Sequence, residues 1–219
     1  MVSPFERVLS RSLTSRQHYR RSDISPATGS TGIRPPASAT RSSPVAASPT
    51  TTTDYRLPVG GWLSIPCHCR WPTCAHRGQS QITRCNCIQG WTAIAEWGGV
   101  PLAHVVELVR PRAAARHVVF YAFDDKGVTE GEGRYGYFYG SIPLYLATSP
   151  QTILALEVNG APLPVELGAP VRVRIETQLG FKMVKWVKGI EFVADFGEVG
   201  MGQGGWREDQ QYYANAAGI

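Results

Sequence analysis

The 219-residue sequence has no apolar run near the roughly 18 residues that cross a bilayer, so no membrane span is expected in this chain. It has no C-x-x-C-H, hence no c-type haem attachment, and it shows no internal repeat. No export signal is read at its start either, because Arg20-Arg21 leads into Ser-Asp-Ile-Ser-Pro rather than an apolar stretch. Asparagine is absent before Asn86. Charged residues are few, at 18% against 43% hydrophobic, which excludes wholesale disorder and fits a chain with a core.

What charge there is lies unevenly. The net +5 would point to nucleic acid or an acidic surface if it belonged to the folded part. Residues 1–53 carry seven arginines against Glu6 and Asp23, which accounts for the whole +5 and leaves residues 54–219 neutral. From Ala27 to Thr53 every residue except Ile33, Arg34, Arg41 and Val45 is Ala, Ser, Thr, Pro or Gly. Such a stretch buries too little apolar surface to offset its ordering entropy. Residues 1–53 are therefore expected to be a disordered basic tail, with a short amphipathic helix within 1–21, and 54–219 one domain. No nucleic-acid partner is expected.

Within that domain, a strand is expected at Asp54 to Leu57, closed by Gly60-Gly61. Pro101 suits a first helical position, followed by Leu102, Val105, Val106 and Val109 at helical spacing, with Pro111 ending the helix. His117 to Phe123, Thr152 to Val158 and Ile190 to Val193 read as strands, the second leading into the turn signal Asn159-Gly160. Val171, Val173 and Ile175 alternate with Arg172, Arg174 and Glu176, which predicts a strand with one buried and one polar face. Tyr135, Tyr137 and Tyr139 alternate as a sheet face would. Strands outnumber helices, so the class is α+β with a mixed or antiparallel sheet.

The chemistry concentrates in three segments. The first is Cys87-Ile88-Gln89-Gly90-Trp91 with Trp97-Gly98-Gly99-Val100-Pro101-Leu102. The second is Asn159-Gly160-Ala161-Pro162-Leu163-Pro164 with Gly168-Ala169-Pro170-Val171-Arg172. The third is Gly180-Phe181-Lys182-Met183-Val184-Lys185-Trp186, and Trp206-Arg207-Glu208-Asp209 follows near the end. In this order and spacing they resemble the molybdopterin-binding domain of the sulfite oxidase family, in the bacterial branch of the periplasmic protein-methionine-sulfoxide reductase catalytic subunits.

The resemblance implies a sulfite-oxidase-like α+β fold with a mixed sheet and few helices. It implies molybdopterin with molybdenum as cofactor, and Cys87 as the protein ligand of the metal. A soft thiolate suits such a metal, and coordination deprotonates the thiol. The cofactor ends in a phosphate, for which the resemblance offers Arg172, Gly180, Phe181, Lys182 and Lys185. Arg84, three residues before Cys87, is a further candidate, to meet an anionic substrate. The implied reaction is two-electron oxygen-atom transfer on a sulfite- or sulfoxide-type substrate, with electrons exchanged with a separate haem or quinone-linked partner. The resemblance places the protein in the periplasm; without it the reading is cytoplasmic. This sequence departs from the branch at Leu167, where a polar residue is usual, and in the Cys-rich stretch 67–85.

Two other readings remain open at this point. Cys67, Cys69, Cys74, His76, Cys85 and Cys87 offer enough ligands for a tetrahedral zinc site, although their spacing is irregular. A degenerate member of the family would keep the fold without catalysis.

Overall fold

The computed structural model describes residues 19–25, 55–64, 67–70, 78–126, 136–211 and 217–219. Two β-sheets share one apolar interior. The first has the order β2 (Cys67–Arg70), β1 (Arg56–Gly61), β10 (Val187–Val193), β5 (His117–Asp125) and β6 (Tyr137–Pro143). It is mixed: β1 runs parallel to β10 and its other neighbours are antiparallel. The second is antiparallel, ordered β3 (Gln79–Asn86), β4 (Thr92–Pro101), β7 (Thr152–Val158) and β8 (Ala161–Pro162), with β9 (Arg172–Ile175) also on β7.

Local chemistry fixes the joints. Asn159 (φ 52) and Gly160 (φ 77) form the two-residue left-handed turn from β7 to β8, as the Asn-Gly signal predicts. Asn159 also brackets β4, donating its N–H to the Glu96 carbonyl and accepting the Glu96 N–H on Oδ1. A bulge at Gly98-Gly99 lets β4 hug β7, where any Cβ on Gly99 would sit 2.1 Å from the Leu154 carbonyl oxygen. The helix α1 (Leu102–Val109) buries Leu102, Val105 and Val109 and ends at a left-handed Arg110 before Pro111. Pro101 caps it from outside, one residue earlier than the expected first helical position. Two short helices follow, α2 (Leu144–Ala147) and α3 (Trp206–Gln211).

The large core joins both sheets, with Leu57, Val118, Phe120, Ile190 and Phe192 from the first and Val173 and Ile175 from the second. A smaller cluster lies on the other side of the second sheet, around Trp97, Ala95, Ile153, Ala155 and Leu167. Because β9 is covered on both sides, its alternation does not mark an exposed face. Arg172, Arg174 and Glu176 are as buried as the valines between them, which corrects the expected polar face.

The expected disordered tail differs at residues 19–25, which lie along the outer face of the β3–β4 hairpin. Tyr19 and Ser25 donate backbone N–H groups to the carbonyls of Ile82 and Ile94, and Arg21 pairs with Glu96 at 2.9 Å. The rest of 1–53 lies outside the described residues, and with it all but 19–21 of the stretch within 1–21 where a helix is expected.

Candidate cofactor site around Cys87

Strand β3 delivers Cys87 to the tip of the β3–β4 hairpin. The tip is tied by the Cys87 N–H to the Trp91 carbonyl (2.9 Å) and the Gly90 N–H to the Cys87 carbonyl (3.0 Å), with Gly90 at φ 86. The Cys87 thiol is half-buried and Cys85, one pleat back, is fully buried. Against this tip packs the short 3-10 turn Gly180–Lys182. A Cβ on Gly180 would lie 3.2 Å from Cys85 Sγ, 3.4 Å from the Asn86 carbonyl oxygen and 3.9 Å from Cys87 Cα. The fold thus brings together two motifs that stand more than 90 residues apart, and the small residue is what allows the approach.

Each expected cation has its own surroundings. Arg172 stacks 4.9 Å from the Trp97 ring centroid and donates Nη1 to the Leu167 carbonyl at 3.2 Å. Burial, and then the neighbouring Arg174, push its pKa down to about 10. Lys185 donates Nζ to the Glu166 carbonyl at 2.9 Å and lies over Trp186. Burial, and then Arg172 close by, hold its ammonium down to about 7. Lys182 is buried and its ammonium meets the Glu208 carboxylate and the Gly204 carbonyl; burial lowers its pKa against the pull of Glu208. Phe181 is half-buried on the same turn.

Arg84 is not brought to Cys87. Side chains on a strand alternate, so residue 84 faces away from 85. Arg84 is exposed on the outer side of the hairpin, its guanidinium 5.7 Å from the Tyr19 ring centroid. Of the tyrosines, Tyr139 is buried and donates to Asp209 and the Val199 carbonyl, Tyr137 is exposed, and Tyr135 lies outside the described residues. The side chains of Cys67, Cys69, Cys74 and His76 also lie outside them. Among the described residues no three His, Cys, Asp or Glu side chains cluster as a metal site.

Arg174, Glu176, Trp97 and Glu208 acquire roles that the motif reading did not assign. Arg174 is gripped by Glu176, Nε to Oε1 at 2.9 Å and Nη2 to Oε2 at 2.6 Å. Burial works against its charge, but Glu176 overrides burial and the net shift is upward. An available signal was the charge on every second residue of β9, set between β-branched residues.

A family model described as the oxidoreductase molybdopterin binding domain matches residues 46–197. The chain belongs to this family. Relatives in it include the subunit YedZ1 of Azospira oryzae, whose name assigns it to a protein-methionine-sulfoxide reductase, 34% identical over 60% of this chain and 44% of its own length. The protein-methionine-sulfoxide reductase catalytic subunit MsrP of Xanthomonas campestris is also 34% identical, over 52% of this chain and 37% of its own. The chain therefore spans less than half the length of these relatives. Among solved structures, the sulfane dehydrogenase SoxCD of Paracoccus pantotrophus superposes with a TM-score of 0.58 at 19% identity, over 73% of this chain and 41% of that one. The fold is the expected sulfite-oxidase-like one, with mixed sheets and few helices, and the cofactor of the family is molybdopterin.

Proposed function

We propose that this chain holds molybdopterin through Cys87, Arg172, the Gly180-Phe181-Lys182 turn and Lys185, and serves two-electron oxygen-atom transfer on a sulfoxide- or sulfite-type substrate. One observation carries the reading: Gly180 is packed against Cys85 and the Asn86-Cys87 backbone, while Arg172, buried near Cys85, keeps an Nε–H that no acceptor among the described residues takes. A half-buried thiol and a buried cation with a spare donor are what a metal-bearing group with a phosphate end requires. Bound there, the group would supply the change of oxidation state that the transfer needs.

The chain's own contributions follow from the site. Cys87 would give one thiolate to the metal, and the hairpin hydrogen bonds fix its position. Gly180 lets backbone close on the ligand. Arg172 and Lys185 hold the anionic end, while the Trp97–Leu167 cluster keeps water away from it. Lys182 is held by Glu208 and keeps the turn in place. For a sulfoxide, the sulfur–oxygen bond breaks as two electrons and two protons arrive, leaving a thioether and water. A separate haem or quinone-linked protein would supply the electrons, and the names of the relatives make a protein-bound methionine sulfoxide one candidate substrate. A periplasmic location is part of the same reading. No described helix is long and apolar enough to cross a membrane.

The test is expression in a host that makes the cofactor, followed by assay of bound pterin and of sulfoxide reduction driven by a reduced viologen dye. Bound pterin with sulfoxide turnover is the expected result. A folded chain that carries neither would overturn the reading.

A further inference from the structure

The buried charges behind Cys87 do not balance among themselves. Arg172, Arg174 and Glu176 are 3%, 0% and 1% exposed, so two cations share one acid. Glu176 spends both oxygens on Arg174, and its Oε1 also accepts from Gln81 Nε2 at 3.0 Å. Among the described residues Arg172 finds its acceptor in the Leu167 carbonyl. Three buried donors have no acceptor among the described residues: Arg172 Nε, Arg174 Nη1 and Trp97 Nε1. They belong to one stack, the guanidinium carbons lying 4.9 and 4.5 Å from the Trp97 ring centroid. Native interiors satisfy their polar groups, and an unmatched buried cation is strongly destabilising. The cluster wants an anion with several acceptor oxygens.

We propose that Arg174 is a second binding guanidinium beside Arg172, and that these two with Trp97 Nε1 take a phosphate-type dianion. The charge count agrees. Arg172 and Arg174 face one buried acid, Glu176, and leave one positive charge; Lys185, which stands close to Arg172 and whose pKa is held down to about 7, adds the second when an anion draws a proton onto it. Of the other nearby groups, Asp124 is paired with Lys126 at 2.6 Å, Glu166 is exposed, and Cys85 stands beside both guanidiniums. In the loaded chain the dianion is the cofactor's terminal phosphate, and in this respect the proposal rests on the reading above. The chemistry itself asks only for a doubly charged oxyanion, and free phosphate meets it.

Both sources are tested with the full chain. For the cofactor-free protein, melting is followed in phosphate against chloride at equal ionic strength, because a ligand that binds only the folded state raises the midpoint. Phosphate should stabilise the wild type. Arg174→Met should weaken phosphate binding roughly tenfold, as expected for losing one charged hydrogen bond. Glu176→Gln keeps both guanidiniums, removes the opposing charge, and should bind phosphate more tightly. Circular dichroism establishes folding, and if Arg174→Met does not fold, the Glu176→Gln result decides. No phosphate effect on the wild type, equal effects on wild type and Arg174→Met, or an unchanged Glu176→Gln would each overturn the proposal. Cofactor-loaded chain should show no phosphate effect, its site being filled. Phosphate binding by a chain that never takes up pterin would sink the cofactor reading and leave the oxyanion site standing.

Discussion

Lys185 shows how position rather than residue type sets the chemistry of a side chain. Burial and the neighbouring Arg172 bring its pKa from 10.5 to about 7 in the folded chain. The unfolded chain therefore binds more protons between pH 7 and 10.5, and this lysine makes stability rise with pH across that window. Melting measured at pH 6 and pH 9 should show a larger gain for the wild type than for Lys185→Met; equal gains would place the lysine in open solvent. Arg84 is the opposite case, since its sequence neighbourhood suggested a role that strand parity removes. Arg84→Ala should cost about 1 kcal/mol or less, read by urea unfolding, and should leave bound pterin unchanged. A loss of pterin in that variant would return Arg84 to the site.

At the scale of elements, helix α3 is the bolt behind the Gly180–Lys182 turn. Glu208 meets Lys182, both almost fully buried, and Asp209 accepts from Tyr139 and from the N–H groups of Met201 and Gln203. Glu208→Ala strands a buried ammonium and should cost about 3–5 kcal/mol in urea unfolding, part of it recovered when Lys182→Met is added. Costs that simply add would mean that the two side chains do not interact. The elements also show which strands a sequence displays. Strand β7, with its run of Thr152 to Val158, and helix α1, with its apolar spacing, could be read directly. Strands β3 and β4 could not, because their inward positions are Gln81, Thr83, Ala93 and Ala95, small or polar residues that erase the two-residue period. Helix α3 was hidden in the same way. After Trp206 its residues are polar and glycines precede it, and what buries its acids are partners from β6 and the Gly180 turn.

The molecule as a whole turns a neutral domain into a locally charged one. The net +5 of the chain belongs to residues 1–53, and the proposed function turns instead on the buried cations Arg172 and Arg174, each with a donor that lacks an acceptor among the described residues. The Cys87 and Gly180 motifs were legible because their order and spacing identify them. Their contact, and the burial of the β9 charges, were not, because both arise only when two sheets close on β9. The proposed function requires Cys87 as the protein ligand of the metal. The most direct test is molybdenum content per chain after expression in a cofactor-making host, for wild type and Cys87→Ser. About one molybdenum in the wild type and almost none in Cys87→Ser is the expected result. Molybdenum retained by Cys87→Ser, or zinc at that stoichiometry in the wild type, would contradict it.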